Sequence, residues 1–366
     1  MLLKGNCLEL LAEMPDNSVD SIVTDPPYEL GFMGKSWDNS GIAYSVELWS
    51  QALRVLKPGG HLLAFGGSRT YHRLASAVED AGFEIRDQIM WIYASGFPKS
   101  HNLKDEWQGW GTALKPAHEP IVVARKPLIG TVATNILTYG TGALNIDGSR
   151  VGTNGGTKSV GERIRPNGDN AQFGVGSSIV ELNEGRWPAN VIHDGSEEVL
   201  EGFPTSKTGN VKPYIRNHNP KEIVSFVQGV INNTSTHTGD SGSAARFFYC
   251  AKASKSERNA GLEGLPEYAT GVYAQDEWSR NNMTSIPTMS RNFHPTVKPI
   301  ALMRYLVKLV TPPNGTVLDP FLGSGTTAVA AILEGFNWMG CEMTEDYWPI
   351  IEARVAWAEA QPKTLL

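Results

Sequence analysis

The strongest constraint on the fold lies between Thr316 and Glu342. Thr316-Val317-Leu318 reads as a short strand, and Asp319-Pro320-Phe321-Leu322-Gly323-Ser324-Gly325-Thr326-Thr327 follows it. A helix then runs to Glu334-Gly335, and a second strand, Asn337 to Cys341, ends in Glu342. Strand, glycine turn, helix and strand make half of a nucleotide-binding unit. The glycines let backbone approach a ligand at the helix N-terminus, and an acid about 20 residues on is placed to take ribose hydroxyls. Gly-x-Gly alone marks many tight turns; its βαβ context, with Asp319 and Glu342 in place, is far more specific. The pattern also lacks the third glycine that packs a helix under a pyrophosphate. The ligand it implies carries an adenosine without a pyrophosphate, as S-adenosylmethionine (SAM) does.

A second turn has an unusual chemistry. Asp25-Pro26-Pro27-Tyr28 directly follows the apolar run Ser21-Ile22-Val23-Thr24, so it reads as the exit from a buried strand. Two prolines fix the backbone and, lacking N–H groups, leave their carbonyls as pure acceptors. With the Asp25 carboxylate, the turn offers oxygens to a partner carrying two N–H donors, and Tyr28 adds a flat stacking face. A planar ring with an exocyclic amino group, adenine or cytosine, has that shape. Four residues alone would more often be a surface turn; the glycine unit far down the chain changes that weighting.

Around these turns the first 95 residues alternate strand-like and helix-like segments. Val46, Leu48, Trp49, Leu53 and Leu56 mark a helical face expected to stop at a Lys57-Pro58-Gly59-Gly60 turn. His61 to Phe65 is a strand, and Ser68 to Ala81 a helix capped by Ser68 and closed by Gly82. Gln88 to Tyr93 and Ile121 to Ala124 are further strands. Past the middle, His294-Pro295-Thr296-Val297-Lys298-Pro299 leads into a helix striped with Leu302, Leu306, Leu309 and Val310, and a last helix spans about Asp346 to Trp357. Such alternation indicates a parallel, doubly wound α/β sheet.

Composition narrows the setting. Charged residues make up 19% and hydrophobic ones 41%, as in a globular chain, and no apolar run reaches the roughly 18 residues of a membrane span. Met1-Leu2-Leu3-Lys4-Gly5-Asn6 does not read as a signal peptide. Cys7, Cys250 and Cys341 lack CxxC spacing, which supports neither a metal site nor a disulfide framework. A reducing cytoplasm is the expected compartment. The net charge of −6 is unevenly spread: residues 1 to 95 hold 7 Lys+Arg against 12 Asp+Glu, residues 96 to 260 hold 18 against 15, and the rest 7 against 11. Basic character is concentrated in the middle, +3 over residues 96 to 260, which is where a nucleic-acid surface would lie if the chain has one, and there basic and aromatic residues interleave. They run through Trp107, Trp110, Lys158, Arg163, Arg165, Arg186-Trp187, Lys212-Pro213-Tyr214, Arg216, Arg246-Phe247-Phe248-Tyr249, Lys252, Lys255 and Arg258. Without the flanking motifs this stretch would read as an irregular excursion with ordinary solvated charges.

Together these motifs resemble the amino-group DNA methyltransferases of the β class, which methylate adenine N6 or cytosine N4. In that class the Asp-Pro-Pro-Tyr motif precedes the target-recognition region and the Phe-x-Gly-x-Gly motif follows it, a circularly permuted order. The matching residues are Asp25 to Tyr28, the Leu56 to Gly60 turn, His294 to Pro299, and Asp319 to Thr327, so the likeness covers both ends, about 170 residues. It is closest to solitary methylases of phages and prophages, which also share segments similar to Arg186-Trp187-Pro188-Ala189-Asn190 and Arg246 to Lys252.

The resemblance implies a seven-stranded, mostly parallel Rossmann-like sheet with a large inserted target-recognition region. Residues 1–95 form its catalytic half, 96–290 continue the sheet to about 130 and then carry the insertion, and 291–366 form its SAM-binding half. The strands bearing Asp25 and Asp319 would be central neighbours at the topological switch point. A long insertion between them costs little, because closure entropy grows only logarithmically with loop length. Duplex DNA is the implied partner, with no membrane; a homodimer and a cognate restriction nuclease stay open. The base would flip out and stack on Tyr28, while Asp25 and the Pro26 carbonyl, held by Pro27, accept its amino hydrogens for direct in-line methyl displacement. SAM would contact Asp319, Pro320, Phe321, Gly323, Ser324, Gly325, Thr326 and Glu342, with Thr296, Lys298, Asn6 and Cys7 at further cofactor positions. Relatives often carry an acid where this chain has Asn6-Cys7, and Cys341 reads as core. Asp25 leans towards adenine, cytosine N4 is the close rival, and a catalytically dead DNA-binding module is the reading from another class.

Overall fold

The protein is described by a computed structural model that covers residues 1–31, 36–96, 100–152, 157–160, 178–181, 185–207, 214–216, 231–233, 241–251, 256–270 and 288–361. Its organising element is β2 (Val19–Thr24), buried at every position, as expected of a strand covered on both faces. On one side β2 pairs with β3 (Leu56–Phe65), and on the other with β8 (Thr316–Asp319), both in parallel. Beyond β8 lie β9 (Asn337–Glu342) and β1 (Leu2–Lys4), again parallel. Beyond β3 lie β5 (His118–Arg125) and β4 (Glu84–Ile92). β5 runs antiparallel to both β3 and β4, so the continuous parallel run stops at β3. These seven strands are the expected mostly parallel sheet. Two short strands, β6 (Val191–His193) and β7 (Tyr249–Cys250), extend it past β4 to nine.

Helices cover both faces because β2 alternates. Ile22 packs into the core formed with α1 (Cys7–Glu13), α2 (Val46–Val55) and α3 (Tyr71–Asp80) through Leu11, Trp49 and Leu74. The adjacent Ser21 shares a buried hydroxyl hydrogen bond of 2.8 Å with Thr311, which caps α5 (Ile300–Val310). α6 (Thr326–Leu333) packs on α5 and on α7 (Trp348–Glu359). The far end of the sheet is stitched by Asp20, whose carboxylate accepts from Lys57 Nζ at 2.5 Å and from the Thr316 N–H at 2.8 Å.

Two sequence expectations shift. Lys57-Pro58-Gly59-Gly60 is not a turn between elements but a bulge inside β3: Val19 pairs with Leu56, and Ser21 already pairs with His61. Gly59 takes φ +77 there, and a Cβ on it would lie 2.4 Å from the side chain of Asn135 in α4 (Val132–Tyr139). The helix expected from Ser68 begins at Tyr71, because the Gly67 carbonyl first accepts from the N–H groups of Thr70 and Tyr71 and closes its own turn.

By its contacts the chain divides into two compact units, Met1–Gly148 with Asn190–Val199 and Cys250–Leu366, and Ser149–Ala189 with Leu200–Tyr249. The first holds the sheet's motif-bearing strands. The second is made of short antiparallel hairpins, 157–160 with 178–181, 205–207 with 241–243 and 214–216 with 231–233. In it the guanidinium groups of Arg186 and Arg246 lie 5.2 and 4.3 Å from the Phe247 ring centre, and Trp187 is exposed. Arg163, Arg165, Lys212, Pro213, Lys252 and Lys255 lie outside the described residues. Among the described residues no helix is long and apolar enough to cross a membrane, and no cluster of His, Cys, Asp and Glu could hold a metal ion.

Candidate active site

Because β2 and β8 pair with Ile22 opposite Leu318, their ends release Asp25 and Asp319 from the same edge of the sheet. The two turns are tied by a hydrogen bond. Thr24 donates its hydroxyl to Asp319 Oδ1 at 2.6 Å, Thr327 donates to Oδ2 at 2.6 Å, and the Phe321 N–H reaches Oδ1 at 3.0 Å. Burial pushes the Asp319 carboxyl up to about 6, against the pull of these donors. Asp319 thus fixes both turns from within the protein, and it also lines the cavity between them, where a cofactor contact is expected of it.

Both turns line one cavity of about 1350 Å³. On its β8 side the glycine turn forms a bare backbone wall. Gly323 (φ +55) and Gly325 (φ +80) sit in the left-handed region, and a Cβ on Gly323 would lie 2.9 Å from His294 Nε2. Glu342, at the end of β9, accepts the Gly323 N–H at 2.8 Å on one oxygen and the Thr344 N–H at 2.7 Å on the other. Burial raises its carboxyl above the ordinary value. Behind the turn lies Arg354, fully buried on α7. Its Nη1 donates to the Ser324 carbonyl (2.7 Å), Ser324 Oγ (3.1 Å) and Thr326 Oγ1 (3.0 Å).

On the β2 side an ion cluster surrounds Asp25. Lys298 reaches Asp25 Oδ2 at 2.6 Å, Glu119 Oε2 at 3.3 Å and the Tyr28 hydroxyl at 3.3 Å. Tyr28 donates to Glu119 Oε2 at 2.8 Å, and Tyr93 donates to Oε1 at 3.4 Å. Burial would lower the Lys298 ammonium, but the Asp25 and Glu119 carboxylates outweigh it and hold it above its ordinary value. Burial raises the Asp25 carboxyl although Lys298 opposes it, and burial with the two carboxylates lifts the Tyr28 phenol well above 10. Asp25 Oδ1 is withdrawn from solvent and has no hydrogen-bond partner among the described residues.

The remaining expected residues fall into place around this frame. Pro26, Pro27, Pro320, Phe321, Thr296, Asn6 and Cys7 all line the cavity. Asn6 spends its side-chain oxygen on the Leu8 N–H as the cap of α1, and burial raises the Cys7 thiol to about 11. Lys298, expected at the cofactor, lines the cavity and donates to Asp25. Arg258, read as part of a DNA surface, braces the His294 segment through the carbonyls of Asn292 and His294. Three residues were missed. Glu119 is the second residue of β5, just before an apolar run, which is all the sequence offers to mark it; Arg354 sits in a helix with an otherwise ordinary pattern. Asp38 accepts the N–H groups of Glu29 (2.9 Å) and Leu30 (3.2 Å) and fixes the exit from Tyr28.

Fold and site together define a doubly wound α/β protein with a nucleoside-type pocket at its switch point, one wall glycine backbone and the other an acid-Pro-Pro-aromatic turn. The chain belongs to the DNA methylase family, whose model matches residues 19–353. It is 39% identical over 94 residues to the type II methyltransferase M.ScaI of Streptomyces caespitosus, covering 25% of this chain and 31% of that one. It is 33% identical over 131 residues to M.HpaI of Haemophilus parainfluenzae, covering 34% and 38%. These matches thus span about a third of the relatives' own lengths. Similar solved structures include the cytosine-N4-specific PvuII DNA methyltransferase (14% identity, TM-score 0.47, covering 100% of this chain and 87% of that one). Another is the M1.HpyAVI–SAM complex (15% identity, TM-score 0.41, covering 97% and 98%).

Proposed function

We propose that this chain transfers a methyl group from SAM to the exocyclic N6 of an adenine flipped out of duplex DNA. The observation that carries the reading is Asp25 Oδ1, a carboxylate oxygen withdrawn from water and without a hydrogen-bond partner among the described residues, on a side chain that lines the same cavity as the bare glycine backbone. A buried acceptor without a donor is costly, and an amino N–H relieves that cost. The donor set fits the cofactor. The Gly323–Gly325 backbone offers close approach, Glu342 has carboxylate lone pairs for ribose hydroxyls, and Phe321 and Thr296 line the same cavity. When bound, SAM supplies an electrophilic methyl group on a sulfonium.

The chain's own residues do the rest. Asp25 and the Pro26 carbonyl take the two amino hydrogens, which draws the nitrogen lone pair out of conjugation with the ring. As the nitrogen gains its methyl group it becomes cationic, and Asp25 is the neighbouring base for the proton it must shed. Pro26 and Pro27 keep the acceptors rigid, so the transition state is met without reorganisation. None of the three cysteines follows a proline, which disfavours attack on cytosine C5. Incubation of the protein with unmethylated genomic DNA and methyl-labelled SAM, followed by nucleoside analysis, tests the reading. Labelled N6-methyladenine is the expected product; N4-methylcytosine would transfer the same site to the rival base, and unlabelled DNA would leave a binding module.

A further inference from the structure

Glu119 lies outside every motif that marks the site, yet the polar groups around Asp25 converge on it. It accepts from Tyr28 at 2.8 Å and from Tyr93 at 3.4 Å, and its Oε2 lies 3.3 Å from Lys298 Nζ. Its backbone is pinned where β5 pairs with β4, Trp91 opposite Glu119. Lys298, only 8% exposed, thus sits between two carboxylates, with the rings of Phe65 and Tyr28 4.9 and 5.4 Å from its ammonium. A lysine held by Asp25 alone could rotate about that one contact and cover both oxygens. The second carboxylate fixes Nζ from the other side, so Lys298 satisfies Oδ2 and leaves Oδ1 alone. The same oxygen of Glu119 takes the Tyr28 hydroxyl, which holds the tip of the ring expected to stack on the base.

We propose that Glu119 is a positioning residue for methyl transfer: it anchors Lys298 and Tyr28 so that Asp25 presents Oδ1 to the amino group while Lys298 holds Oδ2. The proposal rests on the amino-methyltransferase reading above. The charges facing Asp25 are Lys298 and Glu119, with the Tyr28 phenol beside them and Asp319 across the end of β8. Glu119 pushes the Asp25 carboxyl up and Lys298 pulls it down. Asp25 has to be ionised to take the proton that the methylated nitrogen sheds, so its titration sets the acid limb of the transfer rate.

The test is single-turnover methyl transfer from labelled SAM to unmethylated genomic DNA, followed across the acid limb for the parent, Glu119→Gln, Glu119→Asp and Lys298→Met. Glu119→Gln is expected to move the limb to lower pH by about one unit, and Lys298→Met to move it the opposite way. Glu119→Asp keeps the charge, leaving the limb in place, but lowers the plateau severalfold because the anchor is one methylene short. SAM affinity and melting temperature check that each variant is folded, and the Asp variant carries the test if the Gln variant is not. A limb that stays put in the Gln variant, or a full plateau in the Asp variant, overturns the positioning role while leaving the methyltransferase reading intact. A parent that labels no DNA overturns that reading, and the role with it.

Discussion

Thr24 and Asp319, 295 positions apart, share a buried hydrogen bond of 2.6 Å between the last residue of β2 and the last residue of β8. It joins the two turns that make the pocket. Thr24→Val keeps the shape and removes the donor, leaving one oxygen of a buried carboxylate with only the Phe321 N–H. A charge-assisted bond of this kind contributes about 1.5–3 kcal/mol. Equilibrium urea unfolding is expected to show a loss of that size; a stability equal to the parent's would mean the bond does not couple the turns.

The buried Asp319 carboxyl, at about 6 against an ordinary 3.8, gives a pH signature. Inside that window the folded chain holds a proton that the unfolded chain has released. Folding takes up a proton there, so this group's share of the stability falls as pH rises through the window and is level above it. The span corresponds to about 3 kcal/mol. Asp319→Asn cannot titrate, so the parent's stability relative to this variant should drop by about that amount from the acid to the neutral side of the window. Parallel stability–pH curves for the two proteins would place the titration elsewhere.

How much of this was legible in the sequence depends on whether a residue's role is local. The glycine turn, the Asp-Pro-Pro-Tyr turn and the acid ending β9 announce themselves because their backbone chemistry is written in consecutive residues. The neighbourhood of β2 and β8 follows from the resemblance to a family fold, not from the pattern of the strands alone. Glu119, Asp38 and Arg354 could not be found that way, since each acts on residues brought near only by folding: Glu119 on Lys298, 179 positions away, and Arg354 on Ser324, one helix and one strand earlier. The motif of Lys298 marks it as a pocket residue, and only the fold shows that its side chain reaches Asp25. The bulge at residues 57–60 failed for a similar reason. Pro-Gly-Gly reads as a stop, yet the strand resumes its pairing at His61.

Gly323 is the position where the cofactor wall should be most sensitive. A side chain there meets both a left-handed backbone, which costs roughly 1–2 kcal/mol for an L-residue, and the imidazole of His294 at 2.9 Å. Gly323→Val is therefore expected to weaken SAM binding at least about tenfold, a loss of about 1.4 kcal/mol by calorimetric titration. Unchanged affinity would show that the ligand does not approach this backbone.

Asp25→Ala separates the two walls. It removes the acceptor and leaves the glycine turn, so labelled-methyl transfer should fall by about a hundredfold or more, the usual scale for a transition-state acceptor or donor, while SAM affinity stays near the parent's. Comparable transfer by the variant would sink the assigned role of the carboxylate.

Arg354 offers a sharper distinction between folding and function. Its guanidinium is fully buried, burial lowers it to about 10, and only Nη1 is engaged; Nε and Nη2 have no hydrogen-bond partner among the described residues. A buried charge so incompletely compensated contributes little to stability, and replacing it with an apolar side chain of similar length is often neutral. Arg354→Met should then unfold within about 1 kcal/mol of the parent. What it removes are the three bonds that hold Ser324 and Thr326 in the glycine turn. The turn keeps its φ values by glycine content but loses its backing, so SAM affinity should fall about tenfold while the melting temperature barely moves. A variant that loses stability and affinity in proportion would make Arg354 an ordinary core residue, and one that loses neither would make it a filler.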